Sequence, residues 1–185
     1  MDDSGIVELY YSRSENAIRE SSKKYGRYCG FIAKNILGSA EDSEECLNDT
    51  WLHAWNSIPP AKPTSLKGFL GKITRNLALS RLEKLSAQKR GGGEFTQALE
   101  ELNECISPER SETLLERAEL SRIINAFLQS EERENAVLFM KRYWYLVPIG
   151  ALSKEFRLSE SAVKMRLSRM RGRLREQLNK EGYDI

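Results

Sequence analysis

The stretch "SESAVKMRLSRMRGRLREQL" (Ser159–Leu178) holds six Lys/Arg against two acidic residues. Its apolar residues keep a strict rhythm: Val163, Leu167, Met170, Leu174 and Leu178 recur at steps of four, three, four and four. At about 100° per residue these side chains fall in one narrow stripe, which predicts an amphipathic helix. Ser159 stands just ahead of the stripe, where its hydroxyl can cap the first unsatisfied N–H groups. Opposite the stripe lie Ser161, Met165, Ser168 and Gly172, flanked by Lys164, Arg169, Arg171 and Arg175. One edge is to be buried. The other is cationic with a small-residue centre, so the backbone can approach a surface closely while guanidiniums reach phosphates. A merely solvated face would mix signs more evenly, so this helix is expected to contact nucleic acid.

Upstream, "PIGALSKEF" (148–156) reads as a short helix and "RLS" as a turn. Helix, short turn and basic helix together give a helix-turn-helix, whose second helix enters the major groove. Helices are also expected over 114–130 and 131–144.

Nearer the N-terminus, residues 5–37 read as one or two helices ending at Gly38. The acidic "SAEDSEE" (39–45) opens a helix to about Ile58, its carboxylates favourable at the positive helix end. Leu47, Trp51, Ala54, Trp55 and Ile58 form the apolar side, with both tryptophans read as core. Glu45, Asn48, Asp49, Leu52 and Asn56 lie opposite. "PPAKPTS" (59–65) is a loop fixed by three prolines. The helix after it should bury Leu66, Phe69, Leu70, Ile73 and Leu77 and expose Lys72, Arg75, Leu79 and, at the edge, Asn76. From Leu66 to Arg90 there are seven basic residues and one acidic one, a second cationic surface.

The 185 residues carry a net charge of +2, unevenly spread. Residues 1–90 hold 14 basic and 11 acidic groups, 91–120 hold two and eight, and 121–185 hold 13 and eight. Two mildly basic blocks around an acidic segment predict two modules and a linker. "GGG" (91–93) and Pro108 suit that linker, which can be partly helical. Only five Pro and 12 Gly occur, with no long alternating Val/Ile runs, so the fold class is all-α.

Several function classes fall away. No apolar run approaches the ~18 residues of a membrane span. The early acidic residues of "MDDSGIVELYYSRSE" and its lack of an apolar core do not read as a secretion signal. Cys29, Cys46 and Cys105 are odd in number and lack metal-type spacing, which suits a reduced, cytoplasmic setting without a metal. His53 is the only histidine and shares a helix face with Cys46, but two ligands do not make a zinc site. There is no Ser/His/Asp set, no phosphate-cradling glycine loop and no paired carboxylates in context. The chain reads as a protein without catalytic groups or cofactor.

Together these segments resemble the bacterial sigma-70 family, most closely its small two-domain members of extracytoplasmic-function type. "SEECLNDTWLHAW" (43–55) resembles the helix by which such factors dock on RNA polymerase. "LKGFLGKITRNLALSRLEK" (66–84) resembles the helix that reads and melts the minus-10 element. "LSKEFRLSESAVKMRLSRMRGRLRE" (152–176) resembles the helix-turn-helix that reads the minus-35 element. "RGGGE" (90–94) is similar to the start of the interdomain linker in one Firmicute-like subgroup. There are departures: Asn48 stands where Gln is common, Ser80 where Asp is common, and Pro148 and Gly150 where a helix former and an acidic residue are commoner.

The resemblance implies a sigma region 2 bundle over 1–90, an acidic linker over 91–113 and a sigma region 4 helix-turn-helix over 114–185. It implies polymerase contacts by Glu45, Asn48, Asp49 and Leu52, with the clamp helices of the beta-prime subunit and the beta flap as partner surfaces. Minus-10 DNA would meet Lys72, Arg75, Asn76, Ser80, Arg81 and Lys84, with Pro60–Leu66 placed to hold an extruded base. Minus-35 DNA would meet Ser159, Ser161, Lys164, Met165, Ser168, Arg169, Arg171 and Arg175. The acidic linker would mimic nucleic acid along the RNA exit path, and an anti-sigma factor is a further partner that the resemblance allows. Two rivals are a helix-turn-helix repressor or activator that binds DNA without polymerase, and a sigma-like regulator acting by protein contact.

Overall fold

The structure, a computed structural model, describes residues 1–88, 94–103 and 114–183. Every regular element among them is an α-helix. The chain divides into two compact units, Met1–Gly91 and Gly92–Ile185.

The first unit contains α1 (Asp3–Tyr11), α2 (Asn16–Leu37), α3 (Ala40–Ser57) and α4 (Leu66–Gln88). Local chemistry sets the boundaries. The Asp2 carboxylate accepts from the Gly5 N–H at 2.9 Å and starts α1. Gly38 ends α2 at φ 69°, a left-handed conformation that costs glycine little. The next residue, Ser39, caps α3 by accepting from the Asp42 N–H at 3.2 Å. Ile6, Tyr10, Tyr25, Cys29, Trp51, Ile58, Leu66 and Leu70 form the core. Trp55 is only half-buried. It packs against Tyr10, and the Arg13 guanidinium lies 5.4 Å from its ring centre. Arg13 also donates to the Trp55 carbonyl at 2.8 Å, and the Tyr11 hydroxyl reaches the Pro60 and Ala61 carbonyls at 3.2 Å. The turn after α1 thus holds the proline loop.

The buried face of α4 differs from the sequence expectation. Leu66, Leu70, Gly71, Thr74 and Ala78 are buried, while Phe69, Ile73 and Leu77 are only partly covered. The reason is close approach. A Cβ on Gly71 would stand 2.6 Å from the Tyr28 hydroxyl oxygen of α2. Thr50 of α3 and Thr74 of α4 meet at 3.2 Å, and each hydroxyl lies 2.8 Å from the carbonyl four residues back, Cys46 and Leu70 respectively. A seam this tight selects small residues that bond to their own helix.

The second unit contains α5 (Glu94–Asn103), α6 (Leu114–Ser130), α7 (Arg133–Tyr143), α8 (Ile149–Phe156) and α9 (Glu160–Lys180). The α9 stripe of Val163, Leu167, Met170, Leu174 and Leu178 is at most 1% exposed. It meets Ile123, Phe127, Leu138, Phe139, Tyr143 and Leu152 in one core. Pro148 stands at the start of α8, and Gly150 is accommodated within the helix.

Within the segment 91–113, read from the sequence as a linker that can be partly helical, Glu94–Asn103 forms a helix of the second unit. Ala98 is buried and Leu102 packs on the core. The expected break at 91–93, Pro108 and Cys105 lie outside the described residues.

Candidate nucleic-acid interface

The helix-turn-helix is built from α8, a three-residue turn and α9. Arg157 ends α8 in the left-handed region at φ 53°, and Ser153 donates across the turn to the Leu158 carbonyl at 2.6 Å. The Ser159 hydroxyl then accepts from the Ala162 N–H at 3.2 Å, as the sequence implied. Ser161, Lys164, Met165, Ser168, Arg169 and Gly172 are exposed along one side of α9, with Met165 at 53%. Nothing stands within 4 Å of a Cβ placed on Gly172, so the centre of that face is open. No acidic side chain among the described residues forms an ion pair with Lys164 or Arg169.

The flanking arginines behave differently from Lys164 and Arg169. The Arg171 guanidinium donates to the Tyr143 hydroxyl at 2.6 Å and to Glu101 at 3.2 Å. Tyr143 in turn donates to Glu101 at 3.0 Å, and Arg142, only 1% exposed, lies 3.7 Å from the same carboxylate. Burial is the main cause that raises the Tyr143 pKa. Arg171, which the resemblance placed among the minus-35 contacts, is a structural tie between α5, α7 and α9. Arg166 and Arg173 pair with Glu134 and Glu131. Arg175 is half-buried. The charge count overstated the open cationic face because it could not see which acids fold back onto it.

The first unit carries two further sets of candidates. On α3, Glu45, Asn48 and Leu52 are exposed, Leu52 at 56%, while Asp49 is half-covered. Thr50, between them in the sequence, is fully buried in the seam with α4. On α4, Lys72, Asn76, Ser80 and Lys84 are exposed. Arg75, expected on the exposed face, is half-buried, and loss of water lowers its pKa.

Arg81 likewise has partners within its own unit. It pairs with Asp42 at 3.1 Å and with Glu45, both on α3. That hydrogen bond is the main cause that lowers the Glu45 pKa. Two residues assigned by sequence to different partners are therefore bonded to each other. The tie closes one side of an open groove of about 410 Å³ lined by Glu45, Cys46, Asp49, Leu77, Ser80, Arg81, Lys84 and Leu85. Burial is the main cause that pushes the Cys46 thiol at its floor up to about 11. His53 is exposed whereas Cys46 is buried, and no group of three metal-ligating side chains occurs among the described residues.

With this geometry in view, residues 23–88 match the family description Sigma-70 region 2. Over that span the chain is similar to the sigma-70 family. The match runs from α2 to the end of α4, so it covers both the α3 candidates and the α4 candidates. No curated protein matches the chain. No helix among the described residues is long and apolar enough to cross a membrane.

Sequence reasoning missed one feature of this region. Lys23, Arg27 and Lys34 of α2 are all exposed, as is Phe31 at 45%. The signal was present, since α2 holds five basic residues and one acidic residue.

Proposed function

We propose that the chain is a sigma factor of the small two-domain, extracytoplasmic-function type, which directs RNA polymerase core to specific promoters and assists strand opening. One observation carries this reading: a sigma-70 region 2 match on the first unit, in a chain whose second unit holds a helix-turn-helix with an open cationic face. On this reading the first unit uses Asn48, Asp49 and Leu52 of α3 to hold a basic helix of the polymerase clamp. The Asp49 carboxylate supplies charge complementarity and Leu52 supplies an apolar anchor. Lys72, Asn76, Ser80 and Lys84 of α4 take the minus-10 strand. Lysines neutralise its backbone, and the Asn76 amide can donate to and accept from a base edge.

The second unit acts as region 4. Ser159, Ser161, Lys164, Met165, Ser168 and Arg169 enter the minus-35 major groove. The small residues let α9 sit deep, and Arg169 offers two donors to a guanine edge. The polymerase supplies all bond-making chemistry; this subunit supplies recognition and opening in the cytoplasm. The beta flap and an anti-sigma factor are further protein partners on this reading.

Run-off transcription with purified polymerase core tests it. Defined start sites that appear only when the chain is added support the reading. A chain that protects duplex DNA sharply by itself, and leaves core unchanged, is a repressor instead.

A further inference from the structure

We infer that Met165 reads the 5-methyl group of a thymine in the minus-35 element, so that one promoter position is chosen by apolar contact and not by hydrogen bonding. That α9 lies in a major groove rests on the reading proposed above. Which chemical group Met165 meets there is decided by its own side chain and surroundings.

Met165 is out of keeping with the rest of α9. Val163, Leu167, Met170, Leu174 and Leu178 are at most 1% exposed, whereas Met165 is 53% exposed. A single exposed apolar side chain needs no explanation by itself, but its placement here supplies one. Ser161, Met165, Ser168 and Gly172 recur at steps of four, three and four. That spacing sets them within about 60° of one another around the helix. All four are exposed, and nothing stands within 4 Å of a Cβ placed on Gly172. Met165 is therefore the long side chain on a line of short ones and projects beyond them. Lys164 and Arg169 are exposed on either side of the line. Arg166, the next residue, is drawn aside to Glu134 of α7 at 3.3 Å. Met165 also lies in the N-terminal half of α9, the part of a recognition helix that meets base edges.

The chemistry of the side chain narrows its partner. A thioether donates no hydrogen bond and accepts one only weakly. The major groove presents a pattern of donors and acceptors, and its apolar group is the thymine methyl. Guanine, adenine and cytosine edges and the phosphates offer Met165 only polar groups, which water satisfies better. An unbranched chain with three rotatable bonds can settle against a methyl without moving α9. Met165 and Arg169 are one turn apart, about 6 Å along the axis. Base pairs stack at about 3.4 Å, so the thymine should fall within about two base pairs of the guanine that Arg169 reads.

The test uses the full chain with polymerase core and a promoter library randomised across the minus-35 element. Met165→Ala is first shown by circular dichroism to keep the wild-type melting temperature, as expected for so exposed a side chain. The wild-type complex should select a thymine at one position where Met165→Ala accepts any base, with the other positions retained. Deoxyuridine then replaces that thymine, which keeps the base pair and removes only the methyl. Wild type should lose about fourfold in affinity, the worth of burying one methyl group, and Met165→Ala should lose nothing. At the same position wild type should bind 5-methylcytosine more tightly than cytosine, and Met165→Ala should bind both alike. A selected element without thymine, or a wild-type complex indifferent to deoxyuridine at every thymine of its element, overturns the inference. So does a Met165→Ala complex that keeps the full deoxyuridine loss, because a residue that only supports α9 would leave the methyl effect in place. Failure of the sigma-factor reading looks different, since core then adds nothing to the selection. The same library is then selected with the chain alone at low salt, and the methyl contrast between wild type and Met165→Ala decides the inference there. A chain that selects no site with or without core overturns both.

Discussion

Arg169 and Arg171 are two residues apart in the same basic run, yet they do different work. Arg169 is exposed beside the open Gly172 centre, whereas Arg171 is held by Tyr143 and Glu101. Arg169→Ala is expected to change the preferred base at one or two positions, at a cost of about 1–3 kcal/mol there. Arg175→Ala should weaken all sequences alike and lower the salt slope by about one unit. A binding selection across randomised minus-35 sites separates these outcomes. Arg171 belongs to the stability of the unit. The Glu101 carboxylate faces Arg142, which is 1% exposed, as well as Arg171 and Tyr143. Glu101→Ala should therefore destabilise the second unit by on the order of 3 kcal/mol, the cost of removing the carboxylate from a buried cation. Chemical denaturation followed by circular dichroism measures it, and a loss under about 1 kcal/mol would place the tie among ordinary surface pairs. None of this was legible in the sequence, because Glu101 and Arg171 are 70 residues apart.

At the scale of helices, legibility followed residue size. The stripe of α9 was read correctly because five large apolar side chains keep one period. The buried face of α4 was read with its centre displaced, because Gly71, Thr74 and Ala78 pack the seam and do not count as large apolar residues. That displacement matters to the site. It moves Arg75 towards cover and leaves Lys72 and Asn76 as the open line of α4. Asn76→Ala is accordingly expected to impair promoter opening more than minus-35 occupancy. Permanganate reactivity of unpaired thymines, read at equal occupancy, reports it, and normal reactivity would remove Asn76 from the opening step. On α3, Asp49→Arg should keep the fold, since Asp49 is not among the α3 residues that build the buried seam. It should weaken binding to polymerase core by placing a like charge against a basic partner. A pull-down with core that is unaffected by the substitution would reject this docking face.

For the whole chain, the decisive quantity is how many cations remain open to DNA. The sequence shows six in the α9 stretch, but Arg166, Arg171 and Arg173 are committed to Glu134, Glu101 and Glu131. Lys164 and Arg169 remain exposed on the groove-facing side. Part of the acidic segment is thus spent within the second unit, where Glu101 meets Arg171 and Glu119 meets Arg122. A unit with so few open cations makes only about two to four phosphate contacts, so its affinity should fall with a salt slope of about 2 to 4. The first unit has its own modest set of open cations on α4, Lys72 and Lys84. The isolated chain is therefore expected to bind promoter DNA weakly, with strong salt sensitivity and little sequence preference. Polymerase core should convert this to specific binding by fixing both units on one surface. Footprinting of one promoter at low and physiological salt, with and without core, measures the difference. Protection at physiological salt should appear only with core. A sharp footprint from the chain alone would mean that the exposed face of α9 reads its site unaided, as a repressor does.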